Sequence, residues 1–512
     1  MAKALMVLGT SSHVGKSVLS AALCRLLFDC GYRVAPFKAQ NMSNNSYVTP
    51  DGLEIARAQA LQALACGLEP EAAMNPVLLK PSADQTSQVV LMGRPIGSFK
   101  AREYHGEISL RLRAAVEEAY RDLEGRFDVV VIEGAGSPAE VNLREVDLAN
   151  SFALRVSRAK ALLVADIDRG GALAAVVGTL ELMEPNEREQ VEGILINKFR
   201  GDLELLRPAL DFLERRTGRP VLGVIPYLRG LALPEEDSVS LERREGLGGE
   251  GLRVTALKLP RISNHTDLEP LTWEEGVSLR YAEDPSELDE VDLLVIPGSK
   301  STVEDLRWLR ERGFEEAIKG LRGRGTFILG ICGGFQMLGE TIEDPHGVES
   351  PLRTERGLGL LRARTVFERS KVTRRVRART LSLWGIEEEV EGYEVHMGRT
   401  EVEEGHRPFR LTRLGDEEVD LPEGAVSEDG LVLGTYIHGL FELDGFRKAF
   451  LREVARRRGK AFNPSGSKYR ERVSRSLREI AAAVASSIDL QLLGDILGLS
   501  LENPYRSTPS SP

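Results

Sequence analysis

The chain has 512 residues, of which 42% are hydrophobic, 28% charged and only 6% aromatic, and it contains 50 glycines. This composition predicts a globular α/β protein with room for two to four domains, and it excludes a collagen, a coiled coil or a wholly disordered chain. The formal net charge of −11 argues against broad electrostatic binding to nucleic acid or to an anionic membrane.

The first half of the chain predicts one doubly wound domain, over residues 1–242. An apolar strand at 3–8 is followed by a Gly/Ser loop, a helix at 16–30 with apolar residues at helical spacing, and a second strand at 32–37. Further β-branched or apolar runs at 128–132, 161–165 and 191–196 predict strands covered on both faces. Strand, loop, helix and strand in this order indicate a parallel sheet.

A second α/β domain is predicted over 252–445, after a charged, glycine-rich linker at 243–253. Its predicted strands lie at 254–259, 293–296, 326–329 and 431–436. Residues 446–512 predict a helical extension, with helices at 446–458 and 471–487 and a disordered Ser/Pro-rich tail at 507–512. The four cysteines include no CxxC pair, and the chain has no signal-peptide pattern and no apolar run long enough to span a bilayer, so a cytoplasmic protein is expected.

A phosphate-binding loop is predicted between the first strand and the first helix, in the run Gly9-Thr10-Ser-Ser-His-Val-Gly15-Lys16-Ser17. Backbone N–H groups at a helix N-terminus can cradle phosphates, Lys16 can reach the β- and γ-phosphates, and the Ser17 hydroxyl can bind Mg²⁺. The first glycine comes one residue early, so Thr10 takes the usual glycine position. The alternative, an ordinary glycine-rich turn, is disfavoured by the Gly-Lys-Ser ending.

Polar residues near other strand ends extend this predicted site, because ligands bind at the carboxyl edge of open α/β sheets. Glu133 ends a buried strand and is a candidate Mg²⁺ ligand. Lys38 could bridge the transferred phosphate. Asp51 and Glu54 could hold a second metal or the substrate, or lie in a surface turn, and Asn197 could read the nucleotide base.

A thiol nucleophile is predicted at Cys332, in the run Gly-Ile-Cys-Gly-Gly between a strand and a helix. This is the elbow geometry that exposes a nucleophile, and the helix N-terminus favours a thiolate. The backbone N–H groups of Gly333 and Gly298 are candidate oxyanion donors. A buried, inert thiol is the alternative.

The base for this thiol is predicted to be His438, which follows a strand and so can lie at the same sheet edge. His396 is the competitor, and either histidine taken alone could be structural.

Both sets of residues together resemble the cobyric acid synthase family, the glutamine-dependent amidotransferases of cobalamin biosynthesis. The most specific segment is Pro-Phe-Lys-Ala-Gln-Asn-Met-Ser-Asn-Asn at 36–45, and the resemblance continues at 51–59, 74–81, 165–171 and 393–400. The N-terminal half is similar to the dethiobiotin synthetase group of P-loop enzymes, and the C-terminal half to class I glutamine amidotransferase domains. Those enzymes usually place a glutamate two residues after the catalytic histidine, where this chain has Leu440. The cobyrinate-amidating branch lacks that acid, so the resemblance implies a Cys–His dyad and leaves open what orients His438.

The resemblance implies glutamine, ATP with Mg²⁺, and a corrinoid as small-molecule partners, with no nucleic acid and no membrane. It implies amidation of adenosylcobyrinic acid a,c-diamide at its b, d, e and g side chains, through acyl phosphates and ammonia carried along a shielded path. A basic run at 362–379 could meet such a polyacid, although a solvated strand face is favoured. The oligomeric state is left open.

Three other functions stay possible on the sequence. The nearest is the sister enzyme that amidates the a and c side chains, which the 36–45 segment disfavours by resemblance. A partition-type ATPase switch would carry a lysine where this chain has Ser11, and would not use Cys332 or His438. A purely binding C-terminal module is disfavoured by the intact Cys332.

Overall fold

Two six-stranded sheets, mostly parallel, form the cores of two α/β domains, as the sequence predicts. The computed structural model describes residues 2–83, 86–100, 103, 106–234, 251–381, 383–403, 406–464, 466 and 468–506. The predicted linker at 243–253 lies mainly outside these ranges, and the predicted disordered tail at 507–512 lies wholly outside them. Within the described ranges, no helix combines the length and apolarity needed to cross a membrane.

The first sheet has the strand order β12-β11-β10-β1-β9-β2 and is parallel throughout. Its phosphate-loop strand β1 lies between β9 and β10, so the ends of these three strands meet at one edge. The elements of this half are β1 (Lys3–Gly9), α1 (Lys16–Asp29), β2 (Val34–Phe37), β3 (Gln40–Met42), β4 (Ser46–Val48), β5 (Glu54–Ala56), α2 (Arg57–Ala65), β6 (Val77–Ala83), β7 (Thr86–Leu91), β8 (Arg94–Lys100), α3 (Glu107–Arg126), β9 (Val129–Glu133), α4 (Ala153–Ser157), β10 (Lys160–Asp166), α5 (Ala172–Leu182), α6 (Pro185–Arg188), β11 (Val191–Phe199), α7 (Leu203–Thr217) and β12 (Val221–Pro226).

The second sheet has the order β15-β13-β16-β18-β26-β25 and is parallel except for its edge strand β25. The elements of this half are β13 (Leu252–Leu257), β14 (Ile262–Ser263), α8 (Glu269–Thr272), β15 (Val277–Ala282), β16 (Leu293–Ile296), β17 (Gly298–Ser299), α9 (Thr302–Glu311), α10 (Phe314–Gly323), β18 (Phe327–Ile331), α11 (Gly333–Leu338), β19 (Thr341–Glu343), β20 (Thr354–Arg356), β21 (Ala363–Thr380), β22 (Glu389–Val402), β23 (Phe409–Leu414), β24 (Glu417–Glu423), β25 (Ala425–Val426), β26 (Val432–Thr435), α12 (Asp444–Arg457), α13 (Tyr469–Ser487) and α14 (Leu490–Leu497).

The predicted helical extension divides between the two domains. Helix α12 contributes Phe446 and Phe450 to the core of the second domain. Helices α13 and α14 return to the first domain, where Leu477 and Ile480 join a buried cluster with Leu23 of α1. The nucleotide-loop helix is therefore covered by a helix far along the chain, because its own outer face is apolar and needs a partner.

Antiparallel strands that the sequence does not predict lie at the contact between the domains. The long hairpin of β21 and β22 belongs to the second half, and the small strands β4 and β5 of the first half pack against it. The basic run at 362–379 lies mostly on β21. Its favoured interpretation as a solvated strand face is wrong for Lys371 and Arg375, which bond to Glu54 and to the carbonyl of Val48 in the first domain.

Candidate active sites

The predicted phosphate loop lies at the carboxyl end of β1, and the side chain of Asn197 contacts its backbone. Gly15 has φ of 99°, and a Cβ there would come within 2.3 Å of the Asn197 amide nitrogen, so glycine is required at this position. Asn197 Nδ2 donates to the carbonyl of Val14 at 2.7 Å. Sequence reasoning assigned Asn197 to the nucleotide base, whereas the structure places its amide against the loop. Thr10 continues from β1 and donates its N–H to Val164 of β10.

The ammonium group of Lys16 lies across the loop, donating at 2.9 Å to the carbonyls of Ser11 and Gly136. Gly136 belongs to the turn after β9, so the lysine connects the phosphate loop with the neighbouring strand end. A lysine held on carbonyls at a helix N-terminus is placed to move to phosphate oxygens.

Glu133, at the end of β9, is the centre of the first site. Its Oε1 accepts from the Ser17 hydroxyl at 2.7 Å and from Lys38 Nζ at 2.8 Å. Its Oε2 accepts from Gln62 at 2.6 Å and from Gln59 at 3.2 Å. Burial by itself would raise the pKa of Glu133, but Lys38 and these hydrogen bonds outweigh it, so the pKa is lowered and the carboxylate stays charged.

The oxygens of Ser17 and Glu133 fit a Mg²⁺ ion bound together with nucleotide phosphates. Mg²⁺ takes hard oxygen ligands and is often held by one or two carboxylates plus substrate phosphates. Across the described residues no group of three His, Cys, Asp or Glu side chains is arranged for a metal. Asp51 lies in the exposed turn between β4 and β5, where it accepts from the Thr49 hydroxyl, so its metal role has no structural support.

The predicted nucleophile elbow is present between β18 and α11. Cys332 has φ of 53° and ψ of −109°, a conformation that is strained for a non-glycine residue and frequent at functional sites. The turn packs closely against the end of β16, since a Cβ at Gly334 would lie 1.9 Å from the carbonyl of Ile296. The thiol is buried, and Sγ lies 3.6 Å from the carbonyl of Val395 on β22.

Both predicted oxyanion residues lie beside this cysteine. A Cβ on Gly333 would lie 2.9 Å from the backbone nitrogen of Ser299, and one on Gly298 would lie 3.3 Å from Cε1 of His438. The first turn of α11 and strand β17 therefore approach each other closely around the nucleophile and its base. Only glycine fits this close approach of the two backbones, and the oxyanion role of the two N–H groups stays a prediction.

Asp267 is the residue that sequence reasoning missed. Its Oδ2 lies 2.6 Å from Nδ1 of His438, and its Oδ1 accepts from the backbone N–H of Gly439 at 2.9 Å. Burial by itself would lower the pKa of His438, but Asp267 and Cys332 outweigh it and raise the pKa to about 10. The site thus contains a Cys–His–Asp arrangement instead of the expected dyad.

The competing histidine, His396, is not placed to act as the base. Its ring stacks on Tyr436 with centroids 3.8 Å apart, and its Nδ1 lies 3.0 Å from the carbonyl of Gly398. Burial lowers its pKa to about 3, so the ring is neutral. A weak sequence signal for Asp267 was present, since this acid follows β13, whose end lies at the same sheet edge as Cys332.

The comparisons with known proteins cover the same two domains. Residues 5–241 match the CobQ/CobB/MinD/ParA nucleotide binding domain, and residues 253–446 match the CobB/CobQ-like glutamine amidotransferase domain. The chain is 53% identical over 508 residues to a cobyric acid synthase of Moorella thermoacetica, covering 98% of each chain. It is 51% identical over 514 residues to a cobyric acid synthase of Pelotomaculum thermopropionicum, covering 98% of this chain and 97% of the relative.

A nucleotide-binding domain joined to a glutamine amidotransferase domain defines an amidotransferase ligase. Within that class, the chain belongs to the cobyric acid synthase family of cobalamin biosynthesis.

Proposed function

We propose that this protein uses glutamine and ATP to amidate the b, d, e and g carboxylates of adenosylcobyrinic acid a,c-diamide. One observation carries the proposal: this chain combines two sites. One is the buried arrangement of Cys332, His438 and Asp267, and the other is the phosphate loop, whose Ser17 bonds to Glu133. The four cysteines are all free, which fits a cytoplasmic enzyme.

The amidotransferase site would release ammonia by covalent catalysis. The Cys332 thiolate attacks the carboxamide carbon of glutamine, and the resulting oxyanion is held by the N–H groups of Gly298 and Gly333. His438 gives its proton to the departing nitrogen, so ammonia leaves and a glutamyl thioester is formed. Water, deprotonated by His438, then hydrolyses the thioester to glutamate, while Asp267 keeps the imidazole oriented.

The nucleotide site would activate the acid. Lys16 and the loop N–H groups hold the β- and γ-phosphates, and in this proposal Lys38 contacts the transferred phosphoryl group. A corrinoid carboxylate oxygen attacks the γ-phosphorus of ATP, ADP leaves, and an acyl phosphate is formed. Ammonia then attacks the acyl carbon, and inorganic phosphate leaves to give the amide. Mg²⁺ held by Ser17 and Glu133 would neutralise negative charge on the phosphates.

A mass-spectrometric time course tests the substrate. Adenosylcobyrinic acid a,c-diamide with ATP, Mg²⁺ and glutamine should show four successive acid-to-amide changes. No change with this substrate, but two changes with unamidated cobyrinic acid, would assign the sister activity. ATP hydrolysis without any amidation would favour a nucleotide-driven switch.

The division of labour is tested by Cys332→Ala, which removes the nucleophile. We expect amide formation from glutamine to be abolished, and amide formation from added ammonium salt to persist, because the nucleotide site is untouched. Lys16→Ala is the matched variant, and it should stop synthesis from either nitrogen source. Loss of the ammonium-supported reaction in folded Cys332→Ala protein would contradict the proposal.

A further inference from the structure

Four arginines meet in an open surface cavity of about 340 Å³ on the first domain, and we call this cavity the arginine pocket. Its walls come from α3 and from residues 148–158, and its charged lining residues are Arg113, Arg121, Arg155, Arg158 and Glu117. Four positive charges and one negative charge stand together here in a chain whose formal net charge is −11. A local excess of positive charge attracts anions.

Most of the positive charge in the arginine pocket is not offset by a carboxylate. In the described part of the chain, Arg121 is the one of the four arginines that forms an ion pair, with Glu117. Arg113 donates instead to the carbonyl of Glu145, and Arg155 donates at 3.3 Å to the carbonyl four residues earlier. Guanidinium groups bound only to neutral carbonyls keep their full charge, and their paired N–H groups match the oxygens of phosphates and carboxylates.

Arg113 also carries an unsatisfied donor. Its Nε is buried and has no hydrogen-bond partner among the described residues. Buried side-chain polar atoms are nearly always paired in folded proteins, and an exception points to a partner supplied by water or by a ligand. Because this donor belongs to a positively charged group, an anion satisfies it better than a neutral molecule does.

Phe152 orients two of the guanidinium groups in the pocket. The Arg113 guanidinium lies over the Phe152 ring, 5.5 Å from its centroid, and the Arg155 guanidinium lies over the same ring at 5.9 Å. Cation–π contacts of this kind hold the two arginines without neutralising them. The pocket therefore has a fixed aromatic wall and charged groups that stay available to a ligand.

Arg158 adopts a conformation that arginine rarely takes. It follows α4 with φ of 50° and ψ of 35°, in the left-handed region, where glycine is the usual residue after a helix. A residue held in a sparsely populated conformation is a marker of function. Here the chain keeps a long, charged side chain at a position that glycine would fill with less strain.

The arginine pocket is separate from the nucleotide site. Arg158 precedes β10, at the amino end of the first sheet, whereas the phosphate loop lies at the carboxyl end. β10 has seven residues, so its two ends are about 20 Å apart. A π-helical turn, Leu148–Phe152, connects the two regions, because its Asn150 side chain bonds to the backbone of Ala135 in the loop after β9. Such turns are rare and are frequent at functional sites.

We propose that the arginine pocket is a third binding site of this protein, for a compact polyanion that carries phosphate or carboxylate groups. Oxygens of the anion accept from Arg155, from Arg158 and from the unsatisfied Nε of Arg113. A cavity of about 340 Å³ is at the small end of ligand pockets, which sets the size of the molecule. Neither Lys16 nor Cys332 lines the pocket, so binding there is independent of the proposed amidation.

Isothermal titration calorimetry tests the site, with pyrophosphate as the phosphate probe and tricarballylate as the carboxylate probe. The full-length chain carries Lys16→Ala, which weakens binding at the phosphate loop and keeps that loop from masking the pocket. We expect saturable binding of at least one probe, at one site per chain. Binding of pyrophosphate alone would support the site and assign it to phosphate groups, and binding of tricarballylate alone would support it and assign it to carboxylates.

Arg155→Gln, added to the same protein, should weaken probe binding about tenfold or more, because a hydrogen bond between charged groups is lost. Arg155 is exposed, so the variant is expected to fold. Arg111→Gln is the matched control, because Arg111 is an exposed arginine of α3 that does not line the pocket. Its affinity for the probe should equal that of the parent protein.

Arg158→Gly separates binding from structure. It should weaken probe binding about tenfold or more, while the urea midpoint stays equal or rises because glycine relaxes the left-handed residue. An arginine with a merely structural role would give the opposite pattern, a lower midpoint and unchanged binding. Absence of binding by both probes would overturn the site, as would equal affinities in the Arg155→Gln, Arg158→Gly and Arg111→Gln variants.

Discussion

At the scale of single residues, Asp267 places a carboxylate beside His438. Class I enzymes usually have a glutamate two residues after the histidine, where this chain has Leu440. A carboxylate only accepts hydrogen bonds, so its 2.6 Å contact requires the proton of His438 to be on Nδ1. Nε2 is then free to exchange a proton with Cys332. In the proposed mechanism, Asp267 therefore fixes both the tautomer and the orientation of His438, as the acid does in catalytic triads.

Asp267→Asn should lower kcat for glutamine hydrolysis by about 100-fold or more, with little change in KM for glutamine, because the variant loses the carboxylate that selects the productive tautomer. Asp267 raises the pKa of His438, so its removal lowers the pH at which the imidazolium is lost. The alkaline limb of the pH–rate profile should move to lower pH. An unchanged alkaline limb would refute this role, and ammonium-supported synthesis serves as the internal control.

The two sites differ in how far the sequence predicts them. Cys332 and Lys16 lie in local patterns whose geometry the backbone dictates, so both could be placed without a structure. Asp267 acts on a histidine 171 residues away, and no local pattern records that pairing. The same reason explains why Gln59 and Gln62, which reach Glu133 from α2, were not predicted.

At the scale of elements, helix α13 has an apolar face that finds its partner in the first domain. Leu477, Ile480 and Val484 recur at helical spacing and are buried with residues of α1. The sequence predicts this helix to within two residues of its start, but periodicity alone does not say which surface the helix covers.

Leu477→Ala should reduce the free energy of unfolding of the first domain by about 2–5 kcal/mol, because it leaves a cavity between α13 and α1. Urea denaturation, followed by a signal from the nucleotide site, measures the loss. Arg478→Ala is the control, since Arg478 belongs to the same helix but is exposed. Equal stability of the two variants would mean that α13 does not support the nucleotide site.

At the scale of the whole molecule, ion pairs between buried side chains lie at the interface of the two domains. Glu54 is fully buried between Lys80 of its own domain and Lys371 of the other. Arg57 pairs with Glu442 across the same interface at 2.6 Å. Removing one partner from a buried ion pair leaves an uncompensated charge, so such contacts are sensitive to substitution.

Glu54→Gln should weaken the folded, docked protein by about 3–5 kcal/mol, since two buried lysines lose their counter-charge. Burial alone would raise the pKa of Glu54, but Lys371 and Lys80 hold it well below its usual value. Its contribution is therefore present above the unfolded-state pKa, about 4.3, and is lost as the pH falls toward the folded-state pKa.

Urea denaturation of the unaltered protein and of Glu54→Gln, at pH 7 and at about pH 3, should show a smaller difference in stability at the lower pH. Glu69→Gln is the matched control, because Glu69 pairs with Arg375 across the same interface but is exposed. It should change stability by less than about 1 kcal/mol. A stability difference between the unaltered protein and Glu54→Gln that grew on acidification would contradict this role of the Glu54 carboxylate.

The return of α13 and α14 to the first domain also sets an order of events on the ribosome. The core of the amidotransferase domain is complete once α12 has been made, whereas the nucleotide-binding core needs residues as late as Leu497. The domain synthesised first is therefore the last to finish folding, contrary to the usual N-terminal-first order. A nascent chain that stops before Tyr469 would carry a finished glutamine-hydrolysing domain beside a nucleotide domain whose α1 surface is bare, a natural target for chaperones and proteases.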